Sequence, residues 1–150
     1  GRQLIGEFIF GFSVLPTDET TPAVGVVGFH AAHDDVPASV AEYIRFRVTG
    51  GSASLLIDTY DGAGGHTNTG VDTGVTMVAG TAIVALIDCQ SAQDVRFFID
   101  GVRVAASTQF DLSGGTQKFQ PVAHMYKPIT STGAVGTLDL DRVEITQLRS

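Results

Sequence analysis

The chain has no tryptophan, one cysteine and, at 17% of its 150 residues, few charged side chains. A single Cys89 excludes an intrachain disulfide, so oxidation says nothing about compartment. That thiol closes the apolar run TAIVALIDC and is expected to be buried and inert. No apolar run approaches the roughly 20 residues of a membrane-spanning helix. Basic residues are scattered against a formal net charge of −7. No clustered positive face is offered to nucleic acid or to an anionic membrane. Helix signals are nearly absent; only VPASVAE, residues 36–42, has the content for one short turn. A domain of this length normally carries about 25% charged residues. Part of the surface is therefore expected to be covered in an assembly.

What is present reads as strands. Eighteen glycines punctuate short runs rich in Val, Ile, Phe and Thr. In GEFIFGFSV, residues 6–14, Phe8, Phe10, Phe12 and Val14 alternate with Ile9, Gly11 and Ser13. In EYIRFRVT, Ile44, Phe46 and Val48 point inward while Tyr43, Arg45 and Arg47 point outward. The glycines at 50 and 51 turn that strand into SASLLIDTY, and residues 61–70 read as a long flexible loop. TAIVALID is apolar on both sides, as in a central strand buried on both faces. In GTLDLDRVEITQL, Leu138 and Leu140 differ in parity from Val143 and Ile145. A bulge near Asp141 and Arg142 would return all four to one face. Nine or more short strands without alternating helices predict one all-β domain over residues 1–150. The fold class is an antiparallel two-sheet β-sandwich or jelly roll.

Groups capable of chemistry are present without convergence. VRFFIDGVRV, residues 95–104, reads as a two-residue hairpin pairing Ile99 with Val102, Phe97 with Val104 and Val95 with Ala106. Asp100 is then a turn residue, not a catalytic one. His30, His33, Asp34 and Asp35 lie close in sequence, as do Asp58, Asp61, His66, Asn68 and Asp72. Metal binding needs ligands that meet at one point, and the spacing of a helix–loop–helix calcium site is missing. Asp139 and Asp141 resemble the paired carboxylates of jelly-roll glycosidases. However, Thr137 stands where such enzymes carry the first glutamate, and only Glu144 matches the far end. No nucleophile motif or phosphate loop appears. The residues alone predict no catalytic, cofactor or metal site.

The order FIFGFSV, VGFHAA, LLIDTYDG, VTMVAGTAIVALIDCQSAQDVRFFIDGVRVAAS, FQPVAHMY and GTLDLDRVEITQLR resembles the concanavalin A-like (laminin G-like) sandwich domains of tailed-phage virion proteins. The resemblance covers most of residues 7–148. It implies a non-enzymatic capsid decoration protein that stabilises the shell from its outer surface. The implied partners are the major capsid protein and copies of itself, as a homotrimer, without cofactor, nucleic acid or membrane. The alternative on the same fold is a carbohydrate-binding module or receptor-binding adhesin that uses the 30–35 and 61–72 loops.

Overall fold

The computed structural model describes residues 3–17, 23–116 and 118–148. Ten strands follow one another: β1 Gln3–Val14, β2 Val24–His30, β3 Tyr43–Thr49, β4 Ser54–Tyr60, β5 Thr67–Thr76, β6 Ala82–Cys89, β7 Arg96–Ile99, β8 Val102–Val104, β9 Gln120–Tyr126 and β10 Thr137–Leu148. They form two antiparallel five-stranded sheets, ordered β10-β1-β6-β7-β8 and β5-β4-β3-β2-β9. Among the described residues the helical content is one 3₁₀ turn, Pro37–Ser39, inside the segment with helix-like composition.

The core lies between the sheets and follows the period-two alternation. Phe8, Phe10 and Phe12 of β1 are buried against Phe29, Phe46 and Ile44 of the opposite sheet. Phe8 meets Phe29 edge-on at 5.4 Å, and Phe97 meets Phe46 at 5.4 Å and Phe110 at 4.8 Å. Each such ring contributes roughly 2–3 kcal/mol through burial. Gly6 makes room for one of them: a Cβ there would stand 2.3 Å from the Phe29 ring.

The hairpin forms in the expected register for Phe97 with Val104 and Ile99 with Val102. Asp100 and Gly101 have φ of 50° and 79°, as a type I′ turn requires. Asp100 also latches the hairpin to β6: its Oδ1 accepts from Val84 N at 2.9 Å, and its own N donates to Val84 O at 2.8 Å. The third expected pair, Val95 with Ala106, does not form. Ala105 takes φ of 50° and turns the chain away, and Val95 N donates to Phe110 O instead.

Three other readings meet the structure differently. β10 shifts register opposite Ile9 and Phe10, leaving Asp141 as the extra residue. Leu138, Leu140, Val143 and Ile145 then stand opposite Phe12, Phe10, Phe8 and Gly6 on one face, as the parity break predicts. On this edge strand, however, only Leu138 packs against the core, while the other three stay exposed. The presumed loop 61–70 ends early, because Thr67 already pairs with Tyr60. β6 is central in its sheet, yet only one face is buried: Ile83, Ala85 and Ile87 face the core, while Val84 is 36% exposed on the other side. Among the described residues no second layer covers that side.

Candidate functional site

Residues directly opposite one another in an antiparallel sheet share a face. On the outer face of the second sheet, His30, Tyr43 and Tyr60 therefore form one row. Gly28, Arg45 and Asp58 form the next, and Val26, Arg47 and Leu56 a third. Gly28 leaves the space that Arg45 needs, since a Cβ there would lie 2.3 Å from the Ile44 carbonyl and 2.7 Å from the Arg45 Cα. The segment between β2 and β3 folds against this face. Pro37 O accepts from Arg45 Nη1 at 2.7 Å, and Asp35 O accepts from His124 Nε2 at 3.2 Å. Between segment and sheet lies a depression of about 340 Å³, lined by Val36, Pro37, Tyr43, Arg45, Arg47, Asp58, Thr69 and Tyr126 among others.

Asp58 is the hub of the floor. Its carboxylate accepts a two-pronged contact from Arg47, Nε to Oδ2 at 2.6 Å and Nη2 to Oδ1 at 3.2 Å. It also accepts from Arg45 Nε at 3.4 Å and from Gly70 N at 2.8 Å. The register shift of β5 between Ile57 and Thr59 falls beside Asp58, which brings the Gly70 N–H within reach. Arg47 Nη1 donates to Thr49 Oγ1.

The protonation states follow from donor inventory and burial. His30 Nε2 lies 3.2 Å from Arg45 Nη1, and a guanidinium can only donate. The imidazole must therefore accept there, neutral and protonated on Nδ1. Burial first, then the Arg45 charge, hold its pKa down at about 4. Burial also works against the Arg45 charge, and Asp58 opposes that effect. The Arg45 guanidinium stands 3.9 Å from the centroid of the Tyr43 ring. Burial raises the Tyr43 phenol, which stays protonated as a donor and acceptor.

The residues singled out in the sequence are dispersed. His30 and Asp58 meet at this floor through Arg45. His33 and Asp35 form an exposed pair at 3.7 Å, and Asp34 Oδ1 caps Val36 N at 2.8 Å. Asp61 is buried at the strand ends, where its Oδ1 accepts from Ala63 N at 3.0 Å. His66 pairs with Asp111 at 3.7 Å, Asn68 donates to Thr59 Oγ1 at 3.3 Å, and Asp72 Oδ1 accepts from Gly74 N at 2.8 Å. Among the described residues no group of three His, Cys, Asp or Glu side chains is arranged to hold a metal ion. Asp139 caps Ser13 N at 2.9 Å and Asp141 is the extra residue of the bulge, so the register shift separates the Asp139/Asp141 pair. Glu144 stands opposite Glu7, whose carboxylate is ion-paired with Arg142.

Sequence reading missed Arg45 and Arg47, taking them for a solvated face. A signal was present: folding the chain about Gly50 and Gly51 with Tyr43 opposite Tyr60 sets Arg45 opposite Asp58. A larger recess of about 490 Å³ opens between the sheets, lined mainly by Leu4, Ile44, Cys89, Val95, Leu112 and Phe119. Burial pushes the Cys89 thiol up to about 12, which keeps it protonated and unreactive.

Among solved structures the chain is similar to sheep galectin-11 in complex with glycerol, with a TM-score of 0.52 and 11% identity, covering 96% of this chain and 90% of that one. It is also similar to the alginate lyase AlgAT5 of polysaccharide lyase family 7, with a TM-score of 0.52 and 15% identity. That match covers 99% of this chain but only 63% of the lyase. The fold is a concanavalin A-like β-sandwich. No protein-family model matches the chain, and no curated protein matches it. At these identities the likeness concerns fold alone, and it contains nothing that points to a virion.

Proposed function

We propose that the protein is a non-catalytic carbohydrate-binding module whose site is the outer face of the second sheet. The observation that carries this reading is the depression itself, where Tyr43 and Tyr126 stand beside the hydrogen-bonded Arg45–Asp58–Arg47 floor. Sugars are held by fixed donors and acceptors facing their hydroxyls and by aromatic surface against their C–H faces. Binding is favoured over turnover because the obvious bases are engaged. Asp58 accepts from two arginines and Gly70, and His30 Nε2 accepts from Arg45. Of the fold neighbours, the galectin is in keeping with binding, whereas the alginate lyase shows that the same fold also supports an enzyme acting on a saccharide. The test is a glycan array, with and without calcium, on the wild type and on Tyr126→Ala. Capture that ignores calcium and weakens about tenfold or more in the variant supports the reading. An array on which no glycan is captured overturns it.

A second reading is favoured by the opposite face. Ile5, Val84, Leu86 and Phe98, together with Glu7 and Asp88, line an open and mainly apolar depression of about 290 Å³ on the outside of the first sheet. Apolar surface of this kind suits docking onto a protein shell and onto further copies of the chain, as a capsid decoration protein would require. Co-sedimentation with undecorated capsids, together with a rise in shell rupture temperature, is the corresponding test.

A further inference from the structure

Each guanidinium carries five N–H donors. In Arg45 three are engaged, by Asp58, Pro37 O and His30; in Arg47 three are engaged, two by Asp58 and one by Thr49. Two donors on each arginine thus have no acceptor among the described residues, and both arginines line the depression. Those of Arg45 are on Nη2, on a residue only 4% exposed. The charges do not cancel either. Asp58 is the only carboxylate in ion-pair contact with either arginine among the described residues, so two cations face one anion. Asp72, the next carboxylate along the Arg47 row, caps Gly74 N.

A buried guanidinium is costly unless its charge and its donors are both met. Here the protein's own groups meet them only in part. Asp61 Oδ2 is the only fully buried side-chain N or O without a partner among the described residues. The remaining arginine N–H groups therefore open onto the depression, where water or a ligand can reach them, and the Pro37, Tyr43 and Asp58 contacts hold them in place. We propose that this face selects an acidic saccharide, whose carboxylate or sulfate takes the remaining N–H groups of Arg45 and Arg47. The inference rests on the carbohydrate-binding reading and adds the charge of the ligand. A carboxylate or sulfate oxygen supplies the missing anion and the missing acceptors together, in a geometry that guanidinium groups favour. The rest of the surface opposes such a ligand, since the chain carries a net charge of −7. Capture of a polyanion must therefore arise from a local site rather than from general attraction.

The experiment is affinity electrophoresis of the whole chain through gels containing polygalacturonate, dextran sulfate or neutral dextran. Retardation by an acidic polymer is expected at about tenfold lower concentration than by dextran, weakening as salt rises. Which acidic polymer acts identifies the anion as carboxylate or sulfate. Arg47→Gln should abolish the effect, while Arg103→Gln on the other sheet, an exposed residue paired with Asp94 at 3.7 Å, should leave it unchanged. The acidic-against-neutral comparison uses the wild type alone and so stands even if Arg47→Gln fails to fold. Dextran retarding as strongly as the acidic polymers, or an equal loss in Arg103→Gln, overturns the charge assignment and leaves the carbohydrate reading in place. No retardation in any gel, beside an array that captures no glycan, overturns the carbohydrate reading itself.

Discussion

The two outer faces of the sandwich use similar strands to opposite ends. The second sheet turns outward a row of ionised and aromatic groups, with Asp58 and Arg45 buried under the Pro37 segment. The first sheet turns outward Ile5, Val84, Leu86 and Phe98 with Glu7 and Asp88 among them; Glu7 meets Arg142, and Asp94 meets Arg96 and Arg103. A face with directional groups in fixed positions can discriminate among ligands by charge and hydroxyl geometry. A face that is mainly apolar, with few fixed directional groups, holds a partner by area. The difference also separates two kinds of ion pair. Exposed pairs contribute about 0–1 kcal/mol, whereas removing one member of a buried pair strands the other and costs about 3–5 kcal/mol.

The largest expected effect follows directly. Asp58→Ala leaves two guanidinium groups without their carboxylate and Gly70 N without its acceptor. Urea unfolding should show a loss of about 3–5 kcal/mol, while Glu7→Ala on the other face, which removes the exposed pair to Arg142, should cost under about 1 kcal/mol. Equal losses at the two positions would erase the distinction between the faces.

Acid should discriminate between them next. His30 titrates at 6.5 in an ordinary setting and at about 4 in the folded chain. Between those values the unfolded chain binds a proton that the folded chain refuses, so stability falls as pH drops from 6.5 towards 4 and is level above 6.5. Because the rim of the site is solvated, the expected loss is roughly 2 kcal/mol rather than the full linkage value. His30→Gln should flatten this part of the stability profile. A profile that keeps its slope in the variant would assign the acid sensitivity to other groups.

Much of the architecture is legible in residue order because each strand is a period-two object. Phe8, Phe10 and Phe12 mark an inward face without reference to anything distant, and Asp100–Gly101 demands one turn type. Even the bulge at Asp141 is forced by a parity break among four aliphatic residues. The site is harder to read, because parity says which residues point outward but not what covers them. Arg45 and Arg47 look like solvated residues until the Pro37 segment closes on them, and that closure is a contact between segments, not a local pattern. Asp58 stands out in the sequence, but as one oxygen ligand among several. β6 errs in the opposite direction. Its apolar residues predict burial on both sides, and composition cannot distinguish cover by a second layer from cover by another molecule.

That last ambiguity sets the smallest expected change in stability and the sharpest change in association. Leu86 lies between Glu7 and Phe98 on the outer face of the first sheet. In a solitary chain Leu86→Lys removes no core contact, and its aliphatic stem can lie along Ile5 and Phe98 with the ammonium towards Glu7. Its effect on unfolding should stay within about 0.5 kcal/mol, the ordinary range for surface substitutions. If the face is an interface, the same lysine removes apolar area from the contact and requires its ammonium to be desolvated there, which is unfavourable. Sedimentation velocity across a concentration series should then show the wild type associating and Leu86→Lys remaining a monomer, with unfolding midpoints unchanged at low concentration. A wild type that stays monomeric at every concentration, and that does not sediment with capsids, would leave the first sheet without a partner and the second sheet as the functional face.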